Sequence, residues 1–202
     1  MIAIIDYGSG NLRSVQKAFA KVGMDAMVTS RAEDLFNASH LVLPGVGAFA
    51  DCMEKLGSSG LTAPLLKSLE GGKPFLGICV GFQVLFAKGE EFGIHPGLNV
   101  VPGTVKRFQA SPLKVPHIGW NQVTVRQTDN PLFKGIADEA YFYFDHSYYG
   151  VPEKEADTAS WTDYGIRFTS SIWRDNIFAC QFHPEKSQTA GLRFLQNFGG
   201  LK

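Results

Sequence analysis

Three short stretches carry residue types that could perform nucleophilic chemistry. Residues 77–81 read GICVG, so Cys79 stands between two glycines, after the apolar run PFLGI and before the helix-like FQVLFAK. A G-x-C-x-G pentapeptide between strand and helix has the layout of a nucleophile elbow, in which the nucleophile sits on a tight, strained turn. The glycines fit because a side chain there would crowd the turn or an approaching substrate. The arrangement also puts Cys79 at a helix N-terminus, where the dipole favours thiolate by about a few tenths of a kcal/mol. That is too little to activate a thiol, so a base is needed.

The second stretch, QFHPEKS at 181–187, offers one. His183 and Glu185 are two apart at the end of the apolar run IFACQF, and on a continued extended backbone their side chains would share one side. Pro184 between them fixes φ and lowers the local entropy. A carboxylate beside an imidazole holds its tautomer and stabilises the imidazolium, the orienting role in a nucleophile, base and carboxylate triad. The third stretch, LVLPGVGAF at 41–49, reads as a strand end followed by a Gly-rich turn. Its backbone N–H groups can face a developing oxyanion, with the amide of Val80 as a second donor.

Taken singly, each stretch also has a plain structural reading. Cys79 could be a small buried hydrophobe at a close-packed turn, His183 a solvated strand end, and 41–49 an ordinary strand-to-helix loop. Metal chemistry is poorly supported: Cys180 with His183 makes two ligands without a second pair, and His40, His95, His117 and His146 show no metal spacing. YGSGN at 7–11 lacks the third glycine and the later acidic residue of a dinucleotide fingerprint. Neither a metal nor another cofactor is expected.

The elements that must position these residues are legible from alternation of character. IAIID at 2–6 is a short apolar strand; Leu12, Val15, Phe19 and Val22 then recur at helical spacing, and Gly23 supplies a stop. AMVTS at 26–30, HLVLPG at 40–45 and KPFLGIC at 73–79 follow as further strands. Continuous apolar strands separated by helix-length segments predict βαβ units and a parallel sheet covered on both faces. Beyond residue 100, VTV at 123–125, YFYF at 141–144, IRFTSSIW at 166–173 and IFACQF at 177–182 come with short turns, RDN at 174–176 reading as a hairpin. The expected fold is therefore α/β, a mainly parallel central sheet with an antiparallel extension and a last helix near 188–198.

The chain has 202 residues, 45% of them hydrophobic, which suits one core; residues 1–202 are read as a single domain. Lys plus Arg balance Asp plus Glu at 19 each, so no net field attracts nucleic acid or an anionic membrane. MIAII is stopped by Asp6, too early for a signal segment, and no run approaches the ~18 apolar residues of a membrane span. Cys52, Cys79 and Cys180 form an odd, unpaired set that fits a reducing compartment, and a cytoplasmic location is expected.

PGVGAF, GICVGFQVLF and QFHPEKS, in this order, resemble the triad-type (class I) glutamine amidotransferases, whose fold is flavodoxin-like. DYGSGNL at 6–12, VPHIGWN at 115–121 and YFYFDHSYY at 141–149 are similar to a branch of that family in which the glutaminase is a separate subunit. The similarity runs essentially from end to end. It implies that Cys79 attacks the side-chain amide of glutamine, that His183 moves the protons and that Glu185 orients it. It further implies that Gln83, Glu91, Ser147 and Tyr148 hold the glutamine and that Val46, Gly47 and Val80 form the oxyanion hole. In that branch a cyclase partner, a (β/α)₈ barrel held in a heterodimer, takes the ammonia directly. Asn11, Trp120, Tyr143 and Lys186 match positions at or near that interface, although Trp120 could equally be a core aromatic.

The chain departs from the family at a few places. Val80 and Phe82 stand where Leu and Met are more usual, swaps of tolerable volume. Asp145 replaces an apolar residue, and strand alternation predicts that its carboxylate turns to water or a cation. Two other readings of the residues stand beside the amidotransferase: a thiol hydrolase acting alone on peptides or γ-glutamyl compounds, and an idle scaffold that only binds a partner. The shortness of the chain argues that any ammonia is used by another polypeptide.

Overall fold

Ile2–Ile5 (β1) is buried at every residue, as are His40–Gly45 (β3) and Phe75–Cys79 (β4). A strand without a solvated side must be covered on both faces, and this forces helices onto the two surfaces of the sheet. The computed structural model describes residues 1–109 and 113–202. Between the first strands lie Leu12–Lys21 (α1), Ala26–Thr29 (β2), Ala32–Asn37 (α2), Phe49–Ser58 (α3) and Thr62–Glu70 (α4). α1 buries Val15 and Phe19 of the predicted stripe together with Ala18, Leu12 and Val22 being half-buried, and its chain turns away at Gly23 with φ +77°.

β4 is followed by Val80–Gln83 (α5), Phe86–Gly89 (β5), His95–Pro96 (β6), Val101–Arg107 (β7), His117–Val125 (β8), Ala140–His146 (β9) and Tyr148–Pro152 (β10). Thr158–Tyr164 (β11), Ile166–Arg174 (β12), Ile177–Cys180 (β13) and Gln188–Gly199 (α6) complete the chain. Among the described residues the large sheet has the order β2-β1-β3-β4-β13-β12-β11-β8-β9. It is parallel from β2 to β13 and antiparallel from there on. The predicted mixed sheet is thus present, and Asp175 and Asn176 form the hairpin between β12 and β13, Asp175 at φ +53°.

A second sheet, β10-β7-β5-β6, was not anticipated. Its existence corrects the reading of FQVLFAK as a helix: the helix lasts four residues, Val80 to Gln83, and LFAK enters β5 instead. Helical spacing of Phe82 and Phe86 satisfied both readings, because both rings are fully buried and meet edge-on at 5.2 Å. Tertiary packing decided between them.

Phe142, Phe144, Phe168, Phe182 and Phe194 fill the core under the antiparallel half. Phe142 and Phe182 lie 4.2 Å apart, tying β9 to the segment just after β13. Among the described residues no helix is long and apolar enough to cross a membrane, and Cys52, Cys79 and Cys180 are all free thiols.

Candidate active site

Cys79 ends β4 at φ +56° and ψ −111°, a conformation that L-residues avoid. The flanking glycines make the turn possible by removing backbone collisions. A Cβ on Gly77 would come 2.6 Å from the carbonyl oxygen of Gly81, and one on Gly81 would collide with the carbonyl oxygen of Leu43 on β3. As expected, both glycines keep the turn itself uncrowded, and Gly81 also clears the neighbouring strand β3. With only one helical turn behind Cys79, the dipole contribution to the thiol is smaller than a full helix would give.

His183 and Glu185 come together by a different route from the one expected. β13 stops at Cys180, and Pro184–Lys186 form a 3-10 turn, so the two side chains do not share one side of a strand. The turn nevertheless brings His183 Nδ1 to 2.8 Å from Glu185 Oε1, with side chains 5% and 1% exposed. The backbone of His183 is fixed from β9: its N–H donates to the Tyr143 carbonyl at 2.8 Å. Ser187 Oγ donates to the His183 carbonyl at 2.6 Å and accepts from Tyr143 N–H at 2.9 Å. Burial of the ring opposes its charge, but the Cys79 sulfur and the Glu185 carboxylate outweigh that and push the His183 pKa up to about 10.

A cavity of about 280 Å³ opens over the elbow. Its lining brings together Cys79, His183, Val46, Gly47, Val80, Gln83, Glu91, Ser147, Tyr148 and Lys186, residues drawn from opposite ends of the chain. Pro116, Asp145 and His146 complete the wall. Glu185 stands behind His183, away from this cavity.

Several of these residues have partners that the sequence did not reveal. Glu91 Oε2 accepts from Phe49 N–H at 2.7 Å, capping α3 just after the Gly-rich turn. The Ser147 carbonyl accepts from Phe108 N–H at 3.0 Å. The Tyr148 carbonyl receives both Gln83 Nε2 at 3.0 Å and His146 Nδ1 at 2.7 Å. Burial, with Glu91 adding to it, raises the pKa of the Tyr148 hydroxyl.

The Gly-rich turn departs from the expectation of free amides. Gly47 adopts φ +94°, as the tight turn requires, but Val46 N–H lies 3.3 Å from Ser9 Oγ. Ser9 in turn donates to the Val46 carbonyl at 2.8 Å, with Cys52 Sγ a second donor at 3.4 Å. In this conformation the Val46 amide is engaged behind the turn, and presenting it to the cavity requires exchange of that bond.

Of the four residues placed at an interface, three form one patch. Trp120 on β8 pairs in register with Tyr143 on β9, their rings 6.1 Å apart, and Lys186 Nζ sits 5.3 Å above the Tyr143 ring. Trp120 is 45% exposed, which removes the core-aromatic reading. Asn11 is exposed at the N-terminus of α1 and stands outside this stack.

Sequence reasoning missed His117, Asn121 and Gln181. His117 Nδ1 lies 2.9 Å from His146 Nε2, and Asn121 Nδ2 lies 3.2 Å from His117 Nε2. A carbonyl can only accept, so His146 Nδ1 carries the hydrogen toward Tyr148, and its Nε2 must accept from His117 Nδ1–H. Burial lowers the pKa to about 4 at His117 and about 3 at His146, keeping both rings neutral. PHIGWN and DHSYY contained both histidines, but 29 positions separate them and only the β8–β9 register, His117 opposite His146, joins them. Among the described residues no group of His, Cys, Asp and Glu is arranged to hold a metal.

The sequence model of the family described as Glutamine amidotransferase class-I matches residues 3–199. The Imidazole glycerol phosphate synthase subunit HisH of Syntrophotalea carbinolica is 54% identical over 207 residues, covering 100% of both chains. The protein of the same name from Methanothermobacter thermautotrophicus is 54% identical over 199 residues, covering 98% of this chain and 97% of its own. Among solved structures, PurLQS from Thermotoga maritima aligns with a TM-score of 0.78 at 16% identity, over 98% of this chain and 96% of that one. A structure described as a glutamine amidotransferase aligns at 0.77 and 19% identity over 100% of each. At these identities the structures speak for the fold, and the family match and the full-length relatives speak for descent: the chain belongs to the class-I glutamine amidotransferases.

Proposed function

We propose that this protein is the glutaminase subunit of an imidazole glycerol phosphate synthase, which hydrolyses glutamine and hands the ammonia to a cyclase partner in histidine biosynthesis. The observation that carries the chemistry is the shared cavity of Cys79 and His183, with Glu185 2.8 Å behind the imidazole. The full-length similarity to HisH proteins supports the choice of member.

Cys79 thiolate attacks the side-chain carbonyl carbon of glutamine. The oxygen takes up negative charge and is met by the amides of the Val46–Gly47 turn, once Val46 N–H leaves Ser9, and by the amide of Val80. His183, protonated and steadied by Glu185, gives its proton to the amide nitrogen, the C–N bond breaks, and ammonia departs from a γ-glutamyl thioester. His183, now neutral, takes a proton from water as its oxygen attacks the thioester; the C–S bond breaks and glutamate leaves. Gln83, Glu91, Ser147 and Tyr148 hold the substrate. Glu91 keeps one carboxylate oxygen for the substrate ammonium while the other caps α3.

Residues 1–202 work as one amidotransferase domain, and the three free thiols suit the cytoplasm. The partner is a (β/α)₈ cyclase that makes imidazole glycerol phosphate and AICAR, its cyclisation and lyase chemistry being its own. It docks over Trp120, Tyr143 and Lys186, with Asn11 nearby. An aromatic pair under a lysine supplies the kind of anchor such an interface uses. Its ligand activates the glutaminase by binding better when the glutaminase is in its active state.

The test is isotopic. With amide-labelled glutamine, unlabelled ammonium in solution, and the cyclase with its nucleotide substrate, product nitrogen should be chiefly the labelled one; product that tracks the bulk ammonium pool overturns channelling. The same preparation, offered glutamine beside a panel of dipeptides and γ-glutamyl compounds, separates this function from a free-standing thiol hydrolase.

A further inference from the structure

From the cavity wall inward, the side-chain amides of Gln83 and Gln181 form a chain of donors whose direction is set at its far end. The Tyr148 main-chain oxygen can only accept. Gln83 must therefore turn Nε2 toward it, at 3.0 Å, and the same NH₂ group reaches Gln181 Oε1 at 3.0 Å. An amide that accepts through Oε1 presents its own Nε2 on the other side, and Gln181 Nε2 lies 3.8 Å from Cys79 Sγ.

Water cannot rescue either amide from a flip, because Gln181 is 0% exposed and Gln83 4%. Turning Gln181 over would set one NH₂ against another inside the protein, and an unsatisfied buried donor costs about 1–3 kcal/mol. The Tyr148 carbonyl is held independently by His146 Nδ1, which is itself oriented through His117 and Asn121. The orientation at the sulfur is thus imposed by groups that never touch it.

We propose that Gln181 is a further catalytic residue, whose side-chain N–H donates to the Cys79 sulfur and favours the thiolate over the thiol. The assignment rests on Cys79 being the nucleophile, as proposed above. A donor facing sulfur gains most when the sulfur is charged. The Asp145 carbonyl, 4.0 Å from Sγ, can only accept and so favours the thiol. Gln181 offsets it from the opposite kind of contact. During breakdown of the thioester the electron pair of the C–S bond returns to sulfur, and the same N–H receives the departing thiolate without giving up its proton.

The experiment follows the pH dependence of Cys79 alkylation by iodoacetamide, whose primary amide is that of a glutamine side chain, on the full-length chain by mass spectrometry. It needs neither the partner nor turnover. Gln181→Met removes the donor at similar length; Gln181→Glu keeps an acceptor for Gln83 but turns a carboxylate oxygen toward the sulfur. The midpoint should rise by about 1 pH unit in Gln181→Met and further in Gln181→Glu. Near-ultraviolet circular dichroism establishes that each variant is folded, and either folded variant suffices for the comparison. A wild-type midpoint in the folded variants overturns the role of Gln181 while leaving Cys79 as nucleophile. Alkylation of wild type spread evenly over Cys52, Cys79 and Cys180 overturns the nucleophile and this assignment together.

Discussion

His183 and Glu185 form a buried pair, their side chains 5% and 1% exposed and their facing atoms 2.8 Å apart, with only the imidazole reaching the cavity. The ring holds its proton up to about pH 10 in the folded chain, against about 6.5 for an unperturbed histidine. The Cys79 sulfur and then Glu185 hold that proton. A proton held by a thiolate that has given up its own leaves the total unchanged, so the pH-dependent stability is the share Glu185 supplies, complete below about 6.5 and lost as pH rises through about 10. The melting temperature of the wild type should fall over that window more steeply than that of Glu185→Gln, which keeps the shape but not the charge. In glutamine turnover, Glu185→Gln should lose less than His183→Ala, which removes the proposed base itself. Equal losses in two folded variants would reverse the assigned roles.

The neutral pair His117 and His146 has the opposite sign. Their folded pKa values, about 4 and about 3, lie below the unfolded value, so the unfolded chain takes up protons first. Stability is present above about pH 6.5 and declines as pH falls toward about 4. His117→Gln should be less stable than wild type at neutral pH yet lose less on acidification. Parallel acid-unfolding curves for the two proteins would mean that His117 does not carry this dependence. Tyr148 is held through the same histidines, so His146→Gln should raise KM for glutamine more than it lowers kcat.

Gly81 is the most tightly enclosed point of the elbow, facing the Leu43 carbonyl across β3. Gly81→Ala should destabilise by about 3 kcal/mol, since backbone rather than a flexible side chain would have to move. Gly57, with nothing within 4 Å of its missing side chain, is the control. Chemical denaturation of both variants measures the contrast, and similar midpoints would show that the elbow has room to relax.

Asp145 is exposed at the cavity wall, as strand alternation predicted, with its neighbours Phe144 and His146 buried. Asp145→Val should change stability by no more than about 1 kcal/mol and leave glutamine hydrolysis nearly intact. A large loss of activity with normal folding would bring the carboxylate itself into the chemistry.

Local features of the chain were enough for the first four parallel strands and for the tight turn at Cys79, whereas the parallel pairing of β13 with β4 was not among them. Fully apolar strands, a helical stripe ended by Gly23, and glycines placed around Cys79 are consequences of backbone sterics and burial, which act over a few residues and leave their pattern in the sequence. The partnership of His183 with Glu185 was also legible, because two residues apart is close in almost any backbone, although the 3-10 turn that joins them was not the strand expected. What the sequence could not decide is where separate stretches meet. FAKG becomes β5 because a second sheet receives it; Val46 N–H turns to Ser9, 37 positions away, because the turn lies against the loop after β1. Gln181 reaches Cys79 across 102 positions through the pairing of β13 with β4. These contacts have no local signature: they depend on strand register and on which buried donors find acceptors, and both are settled only when the whole core packs.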